Sequence, residues 1–156
     1  MKILKIASPL ILLIFVVFLW LAPIGPVPGI FIGGTLTEVP DSWGVTSTTH
    51  EIQLKVEGDI LPRVVTIWVI QVDGELHIIG SKEAGWVSIL GQGGAVQMRL
   101  GDKTYNLNAT VVASNLDMIV KQYKDKYRPD YPNIVEGIPS LEEAPNYAMV
   151  YKLTKA

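Results

Sequence analysis

The side chains that could do chemistry in this sequence are polar and basic residues at the ends of predicted strands. Arg63 opens a β-branched run, Thr66 and Trp68 follow in it, and Ser81 and Lys82 end the next run. Guanidinium and ammonium groups beside hydroxyl and backbone donors can bind an anionic group such as a phosphate. The same residues could equally be solvated charges and an ordinary strand threonine, and their spacing alone does not choose between the two interpretations.

Other kinds of catalytic site have no support in the sequence. There is no cysteine, which excludes thiol nucleophiles, disulfides and cysteine-ligated metals. The two histidines, His50 and His77, belong to no cluster with metal-ligand spacing, so no metal site is predicted. The sequence has no Gly-x-Ser-x-Gly motif, and the glycines between Gly91 and Gly94 lack the strand-to-helix context of a nucleotide-binding loop. Hydrolase and nucleotidase functions are therefore not predicted.

The charges also bear on the class of partner. The chain carries 13 Lys and Arg against 15 Asp and Glu, a formal net charge of −2, with both signs interspersed. Nucleic-acid binding depends on clustered Lys and Arg, so a nucleic-acid partner is not expected.

The N-terminus carries a long apolar segment. Residues 6–37 contain no charged side chain, and a helix over residues 6–24 is long enough to cross a hydrocarbon core of about 30 Å. We predict a transmembrane signal-anchor helix over residues 1–24. Because Lys2 and Lys5 precede it, the N-terminus is expected in the cytoplasm and the domain on the extracytoplasmic, in a bacterium periplasmic, side.

A cleaved signal peptide and a buried hairpin are the alternatives for this segment. Trp20 and the following Pro23 both argue against a cleavage site near the end of the apolar stretch. Residues 25–48 are rich in proline and glycine and predict an interfacial linker, with Trp20 and Phe31 as interface anchors. The domain is then expected over residues 49–156.

The domain is mainly β by its periodicity. Residues 50–57 alternate between apolar and polar, which predicts a half-buried strand. The runs 63–72 and 75–81 flank Asp73 and Gly74, the strongest short hairpin signal in the chain. A short helix or turn (86–90), a second hairpin (95–101 and 104–114) and a closing strand (146–154) complete the predicted elements.

One longer helix is predicted at about 115–128. Asn115 is placed to cap it, and the apolar residues Leu116, Ile119, Val120, Tyr123 and Tyr127 share one face. Six strands and these helical pieces predict a small, closed or nearly closed β-barrel with a helix plugging or flanking it.

The segment from Pro62 to Val112 resembles the FMN-binding split β-barrel superfamily. This superfamily includes pyridoxamine-phosphate-oxidase-like proteins and deazaflavin-dependent nitroreductases. The shared features are an Arg opening a β-branched strand, a hairpin at Asp-Gly, a Ser near its end, an aromatic residue starting a short helix, and the strand pair VQMRLGDKTY over residues 96–105. The fold class implied is α+β, a six-stranded split β-barrel after the N-terminal helix.

The resemblance also implies roles for particular residues. Arg63 matches the position that pairs with the cofactor phosphate. Thr66 and Trp68 match the strand positions that face the ring system. Ser81 and Lys82 match the second phosphate-side segment, and Trp86 matches the start of the short helix.

The function implied is that of a membrane-anchored oxidoreductase that binds FMN or a deazaflavin. In this superfamily the cofactor performs the redox chemistry and the protein orients it, so no catalytic triad is needed. A homodimer with the cofactor at its interface is also implied.

A second hypothesis comes from a different functional class. A cofactor-free barrel could serve as an accessory or interaction subunit of a membrane protein complex. Its contact aromatics would be Trp43 and the tyrosines toward the C-terminus, although core packing is the alternative explanation for those tyrosines.

Overall fold

The computed structural model describes residues 9, 11–17, 23–25, 27–44, 46, 48–139 and 144–156 of the 156-residue chain. Its strands are β1 (Thr35–Leu36), β2 (Glu51–Val56), β3 (Arg63–Trp68), β4 (Ile70–Val72), β5 (Glu75–Ser81), β6 (Gly93–Leu100), β7 (Lys103–Val111) and β8 (Ala148–Lys155). Its helices are α1 (Gly85–Leu90), α2 (Leu116–Tyr127), α3 (Pro132–Glu136) and α4 (Ala144–Tyr147).

The strands form one sheet that curls into a barrel. Their order is β3-β2-β6-β7-β8-β5-β4, and β1 pairs in parallel with β7. Only Val69 separates β3 from β4, so the two ends of the sheet belong to one bent segment. The described part therefore confirms a mainly β, split-barrel architecture. It has eight strands where six were predicted, because the run 63–72 is divided and a short N-terminal strand is added.

The division at Val69 has a cause in a distant part of the chain. The Val69 amide donates to the Tyr127 hydroxyl at 2.9 Å. The Val69 carbonyl accepts from the Lys126 ammonium and lies within hydrogen-bond distance of the same hydroxyl, both at 2.7 Å. Helix α2 thus occupies the backbone groups that would otherwise continue a strand ladder.

The hairpin predicted at Asp73 and Gly74 is confirmed. Strand β4 pairs with the first residues of β5, and the two turn residues have φ of 52° and 85°. Both angles are left-handed, as a two-residue turn between twisted strands requires, and the sequence Asp-Gly tolerates them.

Apolar side chains form two clusters, one on each side of the sheet. The first fills the barrel interior and includes Leu54, Ile78 and Met98. The second lies between α2 and the outer face of the sheet and includes Ile70, Tyr127 and Val150. Helix α2 is therefore packed on the outside of the barrel.

The start of α2 differs from the prediction in one respect. Asn115 precedes the helix, but its side chain makes no capping hydrogen bond and its backbone is left-handed, with φ 55° and ψ 25°. A side-chain cap requires an extended backbone at this position, so the predicted cap is wrong. The predicted stripe is confirmed, since Ile119, Val120, Tyr123 and Tyr127 are all buried.

Part of the segment predicted as a linker packs against the barrel. Gly29 exchanges two backbone hydrogen bonds with Val64, at 2.8 and 2.7 Å. Arg99 then donates to the Ile32 carbonyl at 3.0 Å and Thr104 to the Gly33 carbonyl at 2.6 Å. Residues 29–37, the N-terminal strap, therefore cross the outer face of the sheet from β3 to β7.

The predicted transmembrane segment lies largely outside the described residues. Residues 11–17 are helical and their side chains are exposed. Within the described ranges, no helix has both the length and the apolar character needed to cross a membrane.

Candidate functional site

Arg63 lies at the end of the barrel where β3 begins, beside the first turn of α1. A Cβ built on Gly85 would stand 3.1 Å from the Arg63 guanidinium carbon, so the glycine gives the arginine room. The Arg63 Nε atom is buried and has no hydrogen-bond partner among the described residues. An unpaired buried donor of this kind is unfavourable unless a ligand or water satisfies it.

The turn between β5 and α1 brings Ser81 and Lys82 to the same end. The Ser81 hydroxyl accepts from the Glu83 amide at 3.2 Å, and its carbonyl accepts from the Ala84 amide at 2.9 Å. The Lys82 amide donates to the Tyr147 carbonyl at 2.8 Å. These bonds fix the turn that leads into Gly85. Because Gly85 lies against the Arg63 guanidinium, Ser81 and Lys82 are in the turn that immediately precedes this contact.

Trp86 is near this turn but points into the barrel. Its side chain is 5% exposed and belongs to the interior cluster. The indole occupies the space over Gly80 where any Cβ would collide with it, and it lies 5.8 Å from the Tyr151 ring. The structure therefore gives Trp86 a packing role in the core.

Thr66 and Trp68 lie on the other face of β3. Arg63 is paired with Val56, whose side chain is inside the barrel. Thr66, three residues later in β3, is paired with Gln53. Because neighbouring strand residues point to opposite faces, Thr66 and Trp68 point outward and away from Arg63. Trp68 stacks on Tyr127, with ring centroids 4.2 Å apart and 9° between the planes. The structure does not bring these two residues to the Arg63 end.

An apolar cavity of about 370 Å³ lies between α2 and the outer face of β5, β7 and β8. Ile79 and Ala148 line it, and Ala148 is directly paired with Ser81. Ser81 lies two residues from Ile79 on the same strand face, and its hydroxyl accepts from the Glu83 amide. No charged side chain lines the cavity among the described residues, which are Ile79, Val111, Val112, Ala113, Leu116, Val120, Tyr123, Ile138, Pro139, Ala148, Met149 and Val150.

Tyr123 is the one hydroxyl-bearing residue in this lining. Burial, with a smaller contribution from Tyr127, raises its pKa far above the ordinary value, so it remains a neutral phenol. Lys124, the next residue of α2, donates to the carbonyls of Ile138 and Pro139 at 3.1 and 3.2 Å. These two bonds hold the loop that forms one wall of the cavity.

A second, polar pocket of about 420 Å³ lies at the other end of the same sheet face. His77, which is 5% exposed, lines it, and its Nδ1 lies 3.2 Å from the Glu75 carbonyl oxygen. Glu75 also pairs with Lys152 at 3.1 Å. Burial lowers the pKa of His77, so the neutral imidazole is favoured.

The cavity lining was not predicted as a site. Leu116, Val120 and Tyr123 were recognised as one apolar helix face, but such a face looks the same whether it meets a filled core or a cavity. Ile79 and Met149 carried no signal beyond strand alternation.

The sequence matches no protein-family model and no curated protein. Among solved structures, the fold is similar to HutZ, the haem storage protein of Vibrio cholerae, at 15% identity and a TM-score of 0.52. This match covers 71% of the present chain and 85% of HutZ. It is also similar to a candidate pyridoxamine 5′-phosphate oxidase from Listeria innocua, at 15% identity and a TM-score of 0.50, covering 71% and 87%.

At these identities the comparisons establish the fold. The chain has the split β-barrel architecture of these proteins, with α2 on its outer face.

Proposed function

We propose that this protein is a membrane-anchored split-barrel protein that binds FMN or a deazaflavin and serves as an oxidoreductase. The observation that carries the proposal is the buried Nε of Arg63, which lacks a partner among the described residues. An anionic group would satisfy it, and the cofactors in question carry phosphate.

The anionic end of such a cofactor fits the Arg63 end of the barrel. Arg63 supplies a guanidinium, Lys82 an ammonium and Ser81 a hydroxyl, and the turn from Ser81 to Gly85 is fixed by its own hydrogen bonds. A planar guanidinium binds phosphate oxygens through two parallel donors, which Lys82 alone cannot reproduce.

The ring end fits the apolar cavity under α2. Its volume of about 370 Å³ is within the range of small-molecule sites. Ser81 follows Ile79 on the outer face of β5, whereas Arg63 is on the inner face of β3, so a ligand with its ring under α2 and its anionic group at Arg63 would extend around the strand ends. The Tyr123 phenol is a neutral hydrogen-bond donor for a ring heteroatom.

The bound flavin would supply the redox chemistry, and the chain would hold and orient it. In one copy of the chain, Thr66 and Trp68 lie on the opposite face of β3 from Arg63, Trp68 is stacked on Tyr127, and Trp86 is in the core. We therefore assign the contacts to Arg63, Ser81 and Lys82, with the cavity lining.

Membrane attachment through residues 6–24 is part of the proposal. Its support is the uncharged sequence of residues 6–37 with two lysines before it. The same argument places the N-terminus in the cytoplasm and the barrel on the extracytoplasmic side. We also propose that the protein is a homodimer.

The test is flavin retention by the full-length protein in mild detergent. The protein is incubated with FMN or with a deazaflavin, desalted, and measured by visible absorption and light scattering for mass. We expect a retained cofactor band that Arg63→Gln abolishes. Arg128→Gln removes the same charge from the exposed surface of the protein and is expected to retain the band.

A colourless protein after both incubations would overturn the proposal. The cofactor-free accessory role would then be the better explanation, and co-purification in mild detergent would be the next measurement.

The structure already corrects one part of that alternative, because Trp43 is buried against Tyr105, with ring centroids 5.0 Å apart. Among the tyrosines it invoked, Tyr147 is exposed while Tyr123, Tyr127 and Tyr151 are buried.

A further inference from the structure

Exposed apolar side chains from three segments lie near the start of β3. Ile60 and Leu61, in the loop between β2 and β3, are 92% and 53% exposed. Ile89 on α1 and the pair Ile24 and Val27 are also exposed. We call these five residues the apolar rim. Large apolar side chains grouped at one end of a domain are characteristic of an interaction surface.

The loop and α1 are in contact, so their part of the rim is one surface. A Cβ built on Gly58 would lie 3.8 Å from the Ile89 Cδ1 atom and close to the Leu61 carbonyl. The loop is therefore folded tightly against α1, and Ile60 extends from its tip.

The N-terminal segment joins the domain beside this loop. Ile24 and Val27 exchange two backbone hydrogen bonds, both at 3.0 Å, and form a tight turn. Two residues later, Gly29 pairs with Val64, the second residue of β3. Paired residues lie about 5.5 Å apart and two extended residues span at most about 7 Å. Val27 is therefore at most about 13 Å from Val64, and Ile24 is paired with Val27.

We propose that the apolar rim lies in the lipid bilayer interface and forms a second membrane contact in addition to residues 6–24. The inference rests on the proposed membrane attachment. A segment that leaves the bilayer near residue 24 places the start of β3 at the membrane surface, and the exposed side chains of the rim have the apolar character that this surface requires.

The charges around the apolar rim indicate which lipid headgroups it would contact. Glu57 is paired with Lys55 at 2.7 Å, and Asp59 is the loop's other acidic residue. The loop itself, residues 57–62, carries no lysine or arginine that would select anionic headgroups, and Arg63, which follows it, is assigned to the proposed cofactor. The contact is therefore apolar, and phosphatidylcholine vesicles are sufficient to test it.

The absence of cysteine from the chain makes a site-specific test possible. The variant Ile60→Cys carries a nitroxide label, and the full-length protein is reconstituted into phosphatidylcholine vesicles. Spin-label relaxation is measured with oxygen, which is concentrated in the bilayer, and with a water-soluble nickel chelate. Leu61→Cys is labelled as a second position.

The matched control is a label at Asp102→Cys, in the turn between β6 and β7. Strands β2 and β6 are antiparallel, with Val56 opposite Val96 and Gln53 opposite Arg99. The turn that follows β6 is therefore at the opposite end of β2 from the rim, and the Asp102 side chain is fully exposed.

We expect the label at position 60 to show more oxygen collision and severalfold less nickel collision than the control. Equal nickel collision at both positions, in vesicles that float with the protein, would overturn the inference while leaving the anchor intact. Low collision with both reagents would also overturn it, because it indicates coverage by protein, including a second copy of the chain. Failure of the protein to float would remove the membrane attachment itself.

Discussion

The hydroxyl of Tyr127 lies at the break between β3 and β4, where it accepts a hydrogen bond from the Val69 amide at 2.9 Å. The same hydroxyl lies 2.6 Å from the His50 carbonyl oxygen. One side chain of α2 thus satisfies the backbone where the sheet changes direction. The ring of this tyrosine also stacks on Trp68, so its hydroxyl makes hydrogen bonds while its aromatic face makes a packing contact.

Tyr127→Phe is expected to destabilise the fold by about 1–3 kcal/mol, because the buried Val69 amide loses its partner while ring stacking is retained. The measurement is the free energy of unfolding by chemical denaturation. Tyr147→Phe, at an exposed tyrosine, is the control and is expected to change little. Equal stability of the two variants would show that the hydroxyl is not needed at the break.

His77 is expected to make stability depend on pH below neutrality. Its pKa is lowered from 6.5 in the folded protein, mainly by burial, with Lys152 lowering it further and Glu75 and Asp73 opposing. The unfolded chain therefore binds more protons as the pH falls below about 6.5, and the folded state loses stability until its own pKa is reached. Above the unfolded pKa the stability is fully present.

The variant His77→Gln isolates this contribution. We expect its unfolding free energy to vary less between neutral pH and the acid side of 6.5 than that of the wild type. The prediction is wrong if His77→Gln shows the same pH dependence as the wild type.

Gly80→Ala is expected to be strongly destabilising, because the added Cβ would collide with the Trp86 indole and with Val87. Overpacking of this kind typically costs about 1–3 kcal/mol. Gly44→Ala is the control, since a Cβ there meets nothing within 4 Å. Thermal unfolding distinguishes the two, and an unchanged melting temperature for Gly80→Ala would contradict the packing of Trp86.

Leu116→Phe is expected to weaken flavin retention while leaving the protein folded. Leu116 lines the apolar cavity from α2, and a larger ring there takes up ligand space. Met118→Phe, on the same helix but outside the lining of that cavity, is the matched control. Circular dichroism checks the fold, and retention equal to wild type in both variants would place the ring elsewhere.

Local elements were predictable, and contacts between distant segments were not. The Asp73-Gly74 hairpin and the α2 stripe depend on neighbouring residues, and both are confirmed. The break at Val69 depends on residues 126 and 127, which no local pattern connects to it. For the site, strand alternation alone predicts that Arg63 lies on the opposite face of β3 from Thr66 and Trp68, because residues at odd and even positions of a strand point to opposite faces. The buried position of Trp86 follows from Gly80, a contact visible only in three dimensions.

The ammonium of Lys126 donates to the carbonyls of Thr46, Thr49 and Val69, at 2.9, 2.7 and 2.7 Å. It therefore joins the segment before β2, the β3–β4 break and the end of α2. Local opening of any one of these segments would leave the ammonium or the carbonyls of the others without partners. We expect the backbone amides of all three to exchange with deuterium as one cooperative unit, while the exposed turn at Gly101 and Asp102 exchanges independently.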